Sequence, residues 1–522
     1  MAEKIIIDPI TRIEGHLRVE VEVANGVVTD AHIIGKMFRG LEPLLNGRDP
    51  RDASYVVERV CGVCAGSHGW TSALALDEAF GAEVPAGGRI IRNLIAGAMW
   101  LHDHPLHFYH LSALDYLDIM AVARYQGSDP GLLGVKDKIV SLVNRNDTAP
   151  LTPRYEPDEF CVDDPELVTT AVAHYLKALE MQAKARKMSA LFAGKQPHQS
   201  SIVVGGVTIY PTPHVLDEYA MMLEEQIDFI ENVYYPDVIT FGTGPLLPLA
   251  QANIGVGYGH FLSVGAFDRT DKRGEDPFFK AGLILNGDLS KILPVDERKM
   301  KEDPSYAWYK ENPPLHPYDG DSTPDLAKAN AYTYVKAPRY GDERLPLEVG
   351  PLSRMLVHQP EGLLELVGKY NIKLGAVARH AARAFETVML CREMRNWVEA
   401  LRAEMAPGKN FRIHDTEHWA PPKEGKGAGL AEAPRGALGH WVWVKNKKIA
   451  NYQMIVPTTW NFAPRDEKGV LGPAEKALIG TPVPDVKNPI NVARVLRSYD
   501  PCLACAIHLI DPDTNEVHKF RI

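Results

Sequence analysis

The sequence predicts an α+β fold with a long central helix bundle, and with β structure contributed by both the N- and C-terminal regions. Three observations predict it: apolar and polar residues alternate near the N-terminus, apolar residues recur at helical spacing in the middle, and strand-like runs return near the C-terminus. We therefore expect the two ends of the chain to meet. At 522 residues the chain exceeds what one hydrophobic core usually serves, so two or more lobes are expected.

The N-terminal region, residues 1–60, is predicted to be β structure. Residues 17–23 alternate between apolar and charged side chains, which is typical of a half-buried strand. Asn25-Gly26 is a strong signal for a two-residue hairpin turn. Residues 27–34 can therefore return as the partner strand.

The helical core is predicted over residues 61–240 and 355–405. Four segments in it carry apolar residues at helical spacing: 88–122, 165–193, 213–233 and 361–405. Long helices with one apolar face pack against each other, so these segments predict a bundle.

The remaining segments have weak periodicity. Residues 241–354 are predicted to be an irregular region with short strands, because they are rich in Gly, Pro, Asp and Tyr. In the C-terminal region, 406–508, the Gly- and Pro-rich residues 406–440 predict a long ordered loop. Strands are then predicted over 440–444 and 449–456.

Charge and composition exclude several classes of function. The net charge of −10 argues against a nucleic-acid or anionic-membrane partner, because both attract basic patches. The chain has no run of eighteen apolar residues for a transmembrane helix, and its N-terminus lacks the pattern of a signal peptide. We expect export or membrane association to depend on a partner.

The six cysteines are too few for a disulfide scaffold in a chain of this length. Cys161 and Cys391 stand alone and are predicted to be buried small apolar side chains. The other four form two C-x-x-C pairs, Cys61 with Cys64 and Cys502 with Cys505.

The two pairs leave three hypotheses open. A catalytic metal site is the first, because soft thiolates suit nickel, iron and zinc. A structural zinc site is the second, although such sites usually join pairs over a short span, and here Cys64 and Cys502 are 438 residues apart. Thiol–disulfide exchange is the third, and the lack of a thioredoxin-like βαβ context disfavours it.

The residues around the pairs resemble the two signature motifs of nickel–iron hydrogenase large subunits. These motifs are Arg59-Val-Cys61-Gly-Val-Cys64 followed by His68, and Asp500-Pro-Cys502-Leu-Ala-Cys505 followed by His508. Four more blocks resemble the family and occur in its order: Arg12-Ile13-Glu14-Gly15-His16, Arg39-Gly40-Leu41-Glu42, His102-Asp103-His104 and Glu432-Ala-Pro434-Arg435-Gly436. The resemblance covers the whole chain.

The resemblance implies the large-subunit fold and the reversible heterolytic cleavage of H₂ to protons and electrons at a Ni–Fe centre. Cys61 and Cys502 would be terminal thiolates on nickel. Cys64 and Cys505 would bridge nickel to an iron that carries carbon monoxide and two cyanides. Four anionic thiolates offset the charge of two metals, and cleavage also needs a nearby base.

The resemblance also implies groups that surround the cluster. Arg435 would donate to one cyanide nitrogen, and Thr458 would donate its hydroxyl proton to the other. His68 would donate to the bridging sulfur of Cys64. The alternative for Arg435 is an ordinary surface arginine in a loop.

Three carboxylates have expected roles near the metals. Asp103 and Asp500, together with Arg435 and Pro434, would roof the open metal position; the alternative for Asp500 is a turn residue before a proline. Glu14 resembles the glutamate that passes protons out, and burial beside thiolates should raise its pKa. Its alternative is an ordinary salt bridge with Arg12 or Arg18.

A second metal site is implied near the C-terminus. Glu42, His508 and the backbone carbonyl of Met454 resemble the ligands of a buried magnesium or iron ion. A hard cation takes oxygen donors and keeps several waters, which such a set allows.

Other proteins are implied as partners. The chain has no further cysteine cluster for an Fe–S centre, so electrons must leave through another protein. The family supplies an Fe–S small subunit, and we expect an obligate heterodimer. Residues 509–522 resemble the C-terminal propeptide that a maturation endopeptidase removes after the histidine at 508, leaving a mature chain 1–508; the alternative is a C-terminal hairpin that stays.

Two other functions and the location stay open. One alternative is a quinone-reducing-complex subunit that has lost the metal. The presence of all four cysteines argues against it. The other is a structural zinc protein or a scaffold for an electron-transfer complex. We expect a periplasmic or membrane-associated location through the small subunit, with a membrane cytochrome as a further partner, and a cytoplasmic location stays open. Cysteine at position 502 excludes the selenium variety.

Overall fold

The computed structural model describes residues 3–149, 151–152 and 156–506, with side chains as far as Ala504. The helices, α1 to α16 in chain order, span Leu41–Leu45, Ala53–Val57, Ala65–Phe80, Ala86–Pro105, Pro130–Asn144, Pro165–Ala193, Pro213–Phe229, Tyr235–Thr243, Leu247–Gln251, Pro351–His358, Leu363–Tyr370, Ala376–Glu404, Pro457–Asn461, Pro473–Leu478, Ile490–Ser498 and Leu503–Ala506. The strands, β1 to β13, span Glu3–Ile7, Leu17–Ala24, Val27–Gly35, Ile202–Val203, Gly206–Val207, Phe261–Asp268, Pro277–Ile284, Met300–Asp303, Ala337–Tyr340, Glu348–Val349, Glu424–Ala433, Gly436–Lys445 and Lys448–Ile455.

The N-terminal β structure is an antiparallel sheet of order β1-β2-β3. The predicted hairpin is confirmed, with Ala24 paired to Val27 across the turn. Asn25 and Gly26 have φ angles of 53° and 75°, the left-handed values that a two-residue turn of this kind requires.

The central helices pack as the predicted bundle. Helix α4 contacts α6 and α12, and α12 also contacts α7 and α8. The segment predicted over 165–193 coincides with α6. The segment predicted over 361–405 is instead two helices. Helix α11 ends where Asn371 adopts a left-handed conformation, and a short non-helical stretch separates it from α12.

The prediction of a loop over 406–440 is wrong for its second half, where β11 and β12 begin the antiparallel sheet β11-β12-β13. Glycine at three alternate positions of β11 hid the strand, since glycine weakens strands. The glycines are needed because α3 packs directly on this strand: a Cβ at Gly425, Gly427 or Gly429 would lie 2.0 to 2.2 Å from a carbonyl oxygen of that helix.

The segment between the bundle and α10 contains short strands, as expected for an irregular region. Strands β6 and β7 pair antiparallel, β10 adds to β6 in parallel, and β8 pairs with β9. Among the described residues, the buried apolar side chains form one large cluster, a smaller one where β6 and β10 face the C-terminal sheet, and a pair in α15. Within the described part of the chain, no helix is long and apolar enough to cross a membrane.

The two ends of the chain meet, as expected. Val28 N–H donates to Thr481 O at 3.0 Å, and Val483 N–H donates to Gly26 O at 2.8 Å. Further along, Glu14 pairs with Cys502 in a parallel bridge. The fold therefore places the first and second cysteine motifs next to each other.

The two lone cysteines differ in exposure. Cys391 in α12 is fully buried, as predicted. Cys161 is only half-buried, so its prediction as a buried residue is wrong; it lies in a short irregular segment before α6, where less of the protein covers it.

Candidate metal centre

Three thiols from the two motifs converge in the core. The ligand atoms of Cys61, Cys64 and Cys502 all lie within 4.8 Å of one another, and all three side chains are buried. The Sγ atoms of Cys61 and Cys502 are 3.3 Å apart, too far for a disulfide bond. The side chain of Cys505 lies outside the described residues, although its backbone belongs to α16.

The local backbone stabilises negative charge on these sulfurs. The amides of Val63 and Cys64 point at the Cys61 sulfur, at 3.2 and 3.3 Å. Cys64 is the N-cap of α3, a 16-residue helix whose N-terminus favours an anion. Buried thiolates this close repel each other, so a soft cation between them fits the donor set.

The arginine predicted over the cluster sits in a tight turn. Pro434 and Arg435 connect β11 to β12, and the Arg435 side chain is 3% exposed. Its Nη1 donates to Asp103 Oδ2 at 3.1 Å. Its Nε lies 3.2 Å from Asp500 Oδ2, an ion contact whose angle does not make a hydrogen bond.

One guanidinium therefore serves two buried carboxylates. Burial disfavours the charge of Arg435, but Asp500 and Asp103 outweigh it and raise its pKa. Burial raises the pKa of Asp500. The pKa of Asp103 is lowered instead. Burial would raise it, but His102 and Arg435 outweigh the effect of burial. Asp500 also has a φ of 57°, so it is the predicted turn residue as well as a partner of Arg435.

Thr458 touches the second motif directly. Its Oγ1 accepts a hydrogen bond from the Cys502 amide at 2.9 Å. The hydroxyl proton is then available to a second acceptor on the metal side, which suits the predicted donor role.

His68 belongs to a buried chain of polar groups that sequence reasoning missed. Its Nδ1 lies 3.1 Å from His440 Nε2, and His440 Nδ1 lies 2.7 Å from the hydroxyl of Tyr452. Burial lowers the pKa of His68 to about 4, so the ring is neutral. A neutral ring has one donor nitrogen, so the direction of the bond between His68 and His440 depends on the tautomers of the two rings. The pairing spans 372 residues, so no local pattern could reveal it.

Glu14 is half-buried against the second motif. Burial, and then the negative charge of Cys61, raise its pKa, while Arg435 and Arg39 oppose the rise. The alternative salt bridges are not formed: Arg12 pairs with Asp115, and Arg18 pairs with Glu20.

Arg39, which has no predicted role, joins the two motifs. Its guanidinium donates to the carbonyls of Arg59 and Val60 in the first motif. It also donates to Ala504 O in the second motif at 2.9 Å. Only its place in a family-like block marks it in the sequence.

Two of the three predicted ligands of the second metal site are neighbours. Met454 N–H donates to Glu42 Oε1 at 2.8 Å, and Ser322 donates to the other oxygen. This contact uses the amide of Met454 rather than its carbonyl. The lysine nearby, Lys336, bonds Glu302 at 3.0 Å. His508 lies outside the described residues, as does the predicted propeptide.

Comparison with known proteins identifies the family. The model of the nickel-dependent hydrogenase family matches residues 39–508, and that of the HoxL-like family matches residues 4–34. The chain is 38% identical to the periplasmic [NiFeSe] hydrogenase large subunit of Desulfomicrobium baculatum, over 99% of this chain and 97% of that protein. It is 35% identical to the hydrogenase-2 large chain of Escherichia coli K12, over the full length of both.

Solved structures agree. The Ni-Fe-Se hydrogenase of D. vulgaris Hildenborough in its reduced state superposes with a TM-score of 0.84 and 41% identity, covering 97% of this chain and all of that one. These matches confirm the predicted fold and favour the hydrogenase over the zinc-protein and metal-free alternatives. The chain belongs to the nickel-dependent hydrogenase family, as a large subunit that oxidises H₂.

Proposed function

We propose that Cys61, Cys64, Cys502 and Cys505 hold a nickel–iron pair in which the iron carries carbon monoxide and two cyanides. The convergence of three buried thiols from opposite ends of the chain within 4.8 Å carries this proposal. When bound, the two metals supply the electrophilic centre at which H₂ is split heterolytically into protons and electrons.

Glu14 takes the proton from a protonated cysteine sulfur of the centre, which becomes a thiolate, and passes the proton outward. Its backbone is anchored to the second motif, and a raised pKa suits a group that must hold and then release a proton. Cys61 contributes to that rise, so the thiolate that remains after the transfer favours the protonated form of Glu14.

Arg435 and the two aspartates close the open side of the centre. The guanidinium is fixed by Asp103 and Asp500, and its remaining N–H groups can donate to a cyanide. Pro434 adds an apolar wall, and Thr458 donates to the second cyanide. His68 would donate to the Cys64 sulfur through its other ring nitrogen, in the tautomer whose Nδ1 accepts from His440.

Glu42, the Met454 carbonyl and His508 hold a magnesium or iron ion near the C-terminus. The buried carboxylate of Glu42 next to Met454 supports this assignment. A maturation endopeptidase removes residues 509–522 after the histidine at 508, which frees the new terminus to close over the ion.

An Fe–S small subunit carries the electrons away from the buried centre. The Desulfomicrobium relative is named as a periplasmic hydrogenase subunit. A Wolinella succinogenes relative, 33% identical over 100% of this chain, is named as quinone-reactive. These names support a periplasmic or membrane-associated complex that passes electrons to a membrane cytochrome.

Metal analysis of the purified complex tests the centre. One nickel per large subunit, with iron in excess of nickel because the Fe–S clusters of the small subunit also contain iron, is the expected result, together with H₂-dependent dye reduction. Cys502→Ser should abolish both nickel retention and turnover, whereas Cys391→Ser, in the bundle core, should retain both. Zinc in place of nickel would refute the proposal.

A further inference from the structure

A buried arginine of α10 binds the turn that carries Arg435. Arg354 Nη1 donates to Ala433 O at 2.9 Å, and its Nη2 donates to Pro434 O at 2.7 Å. These are the two carbonyls that immediately precede Arg435. One side chain therefore fixes the peptide units from which the Arg435 side chain departs.

Two buried carboxylates hold Arg354 in turn. Nη1 donates to Glu432 Oε2 at 2.7 Å, while Nε and Nη2 donate to the two oxygens of Glu386 at 2.9 and 2.6 Å. The guanidinium has five N–H groups, and these contacts give each of them a separate acceptor. The Trp100 ring lies 4.4 Å from the guanidinium carbon, and all three charged side chains are fully buried.

The start of α10 also packs closely against the turn. A Cβ on Gly436 would lie 2.7 Å from Gly350 N, and a Cβ on Gly350 would lie 3.0 Å from Arg435 O. The two backbones can approach this closely only because both residues are glycine. The first turn of α10 and the Pro434-Arg435 turn thus form one tightly packed unit.

We propose that Arg354 is a positioning residue that aims the Arg435 guanidinium at Asp103, Asp500 and the metal centre; the inference rests on the role of Arg435 proposed above. A buried ion pair adds little net stability compared with apolar packing, so stability alone is a poor reason to keep a charged group here. Precise orientation is a better one, because a misplacement of about 1 Å at a reacting centre can cost ~100-fold in rate.

Arg354→Lys tests the inference, because lysine keeps the charge but cannot give the planar five-donor fork. Arg339→Lys is the matched control: Arg339 is equally buried, pairs with Asp466 at 3.2 Å and donates to backbone carbonyls, but none belongs to this turn. In the complex with nickel bound, Arg354→Lys should lower kcat by roughly 10- to 100-fold with KM for H₂ unchanged. Hydrogen exchange of peptides over 430–440 should accelerate, and the control should change neither.

A double-mutant cycle separates positioning from independent action. If Arg354 acts through Arg435, adding Arg354→Lys to Arg435→Lys should lower kcat by less than about 3-fold more. Losses that multiply would overturn the inference, as would wild-type kcat or unchanged exchange in Arg354→Lys. Normal turnover in Arg435→Lys would instead refute the proposed role of Arg435 itself.

Glu432→Gln keeps the inference testable if Arg354→Lys does not assemble. The amide can still accept from Val264 N–H, which bonds the other carboxylate oxygen at 2.7 Å, but it weakens the contact to Arg354. We expect a loss of kcat of about 3- to 10-fold with faster exchange of the turn. Wild-type kcat and exchange in this variant would overturn the inference.

Discussion

The backbones of Glu14 and Cys502 pair side by side in a parallel bridge. Glu14 N–H donates to Pro501 O at 3.3 Å, and Leu503 N–H donates to Glu14 O at 2.7 Å. A Cβ on the next residue, Gly15, would lie 2.4 Å from Ala504 N, so no side chain can separate the two segments. The backbone that carries the Glu14 side chain thus keeps a fixed position relative to the second motif.

Glu14→Gln should leave the metals in place and stop proton transfer. The amide keeps the shape of the side chain but cannot take up and release a proton at neutral pH. We expect H₂/D⁺ exchange and turnover to fall by more than about 100-fold, with nickel content unchanged. Glu22→Gln, on an exposed position of β2, should match the wild type. Normal exchange in Glu14→Gln would assign Glu14 a structural role.

Arg435→Lys should assemble with nickel but turn over slowly. A lysine carries its three N–H groups on one nitrogen, so it cannot reach Asp103, Asp500 and a ligand of iron from the three separate positions that a planar guanidinium offers. We expect a loss in kcat of about 10- to 100-fold, measured by H₂-dependent dye reduction on samples of equal nickel content. Unchanged kinetics would mean that the arginine is not over the cluster.

Glu475→Gln should change how stability depends on pH. Burial raises the pKa of Glu475 from 4.5 to about 7, although the Ile33 amide and the Tyr332 hydroxyl oppose the rise. The native state then binds this proton more tightly than the unfolded chain, so its stabilising effect is complete below pH 4.5 and is lost as pH rises through 7. Between these values the wild type should lose up to about 1.4 kcal/mol of unfolding free energy per pH unit relative to the variant.

Thermal unfolding midpoints of the two complexes from pH 5 to 8 measure this difference. The glutamine oxygen can still accept from Ile33 and Tyr332, which bond the same carboxylate oxygen, so the fold should persist. Midpoints that run parallel over the whole range would show that Glu475 titrates normally.

The active enzyme should end at the histidine at 508. The intact mass of the large subunit from the nickel-loaded complex should lack residues 509–522, while protein made without nickel should keep them. Blocking cleavage by placing Pro at position 509 should leave the longer chain and an inactive complex. An active chain that still carries residue 522 would contradict this step.

The helices and the N-terminal hairpin were predictable because their signals are local. Apolar spacing defines α6 within one segment, and Asn25-Gly26 defines its turn without help from the rest of the chain. Strand β11 was not predictable, because its glycines are there to let the strand approach the carbonyl oxygens of α3 and they do not favour a strand by themselves.

The site shows the same division. The cysteines, Glu14 and Arg435 stand in recognisable motifs, so sequence alone selects them. Arg354 and His440 stand in no motif, and each acts on residues that are far away in sequence. Their partners are set by tertiary packing, which no local pattern encodes.

The distance between the two cysteine motifs also fixes when the centre can form. Cys61 and Cys502 are 441 residues apart, and chains grow at about 5 to 20 residues per second, so the first pair emerges roughly 20 to 90 s before the second. During that interval the thiols of Cys61 and Cys64 are present without those of Cys502 and Cys505. The centre can therefore be completed only after the second pair has emerged, on a chain whose helical bundle has already been synthesised.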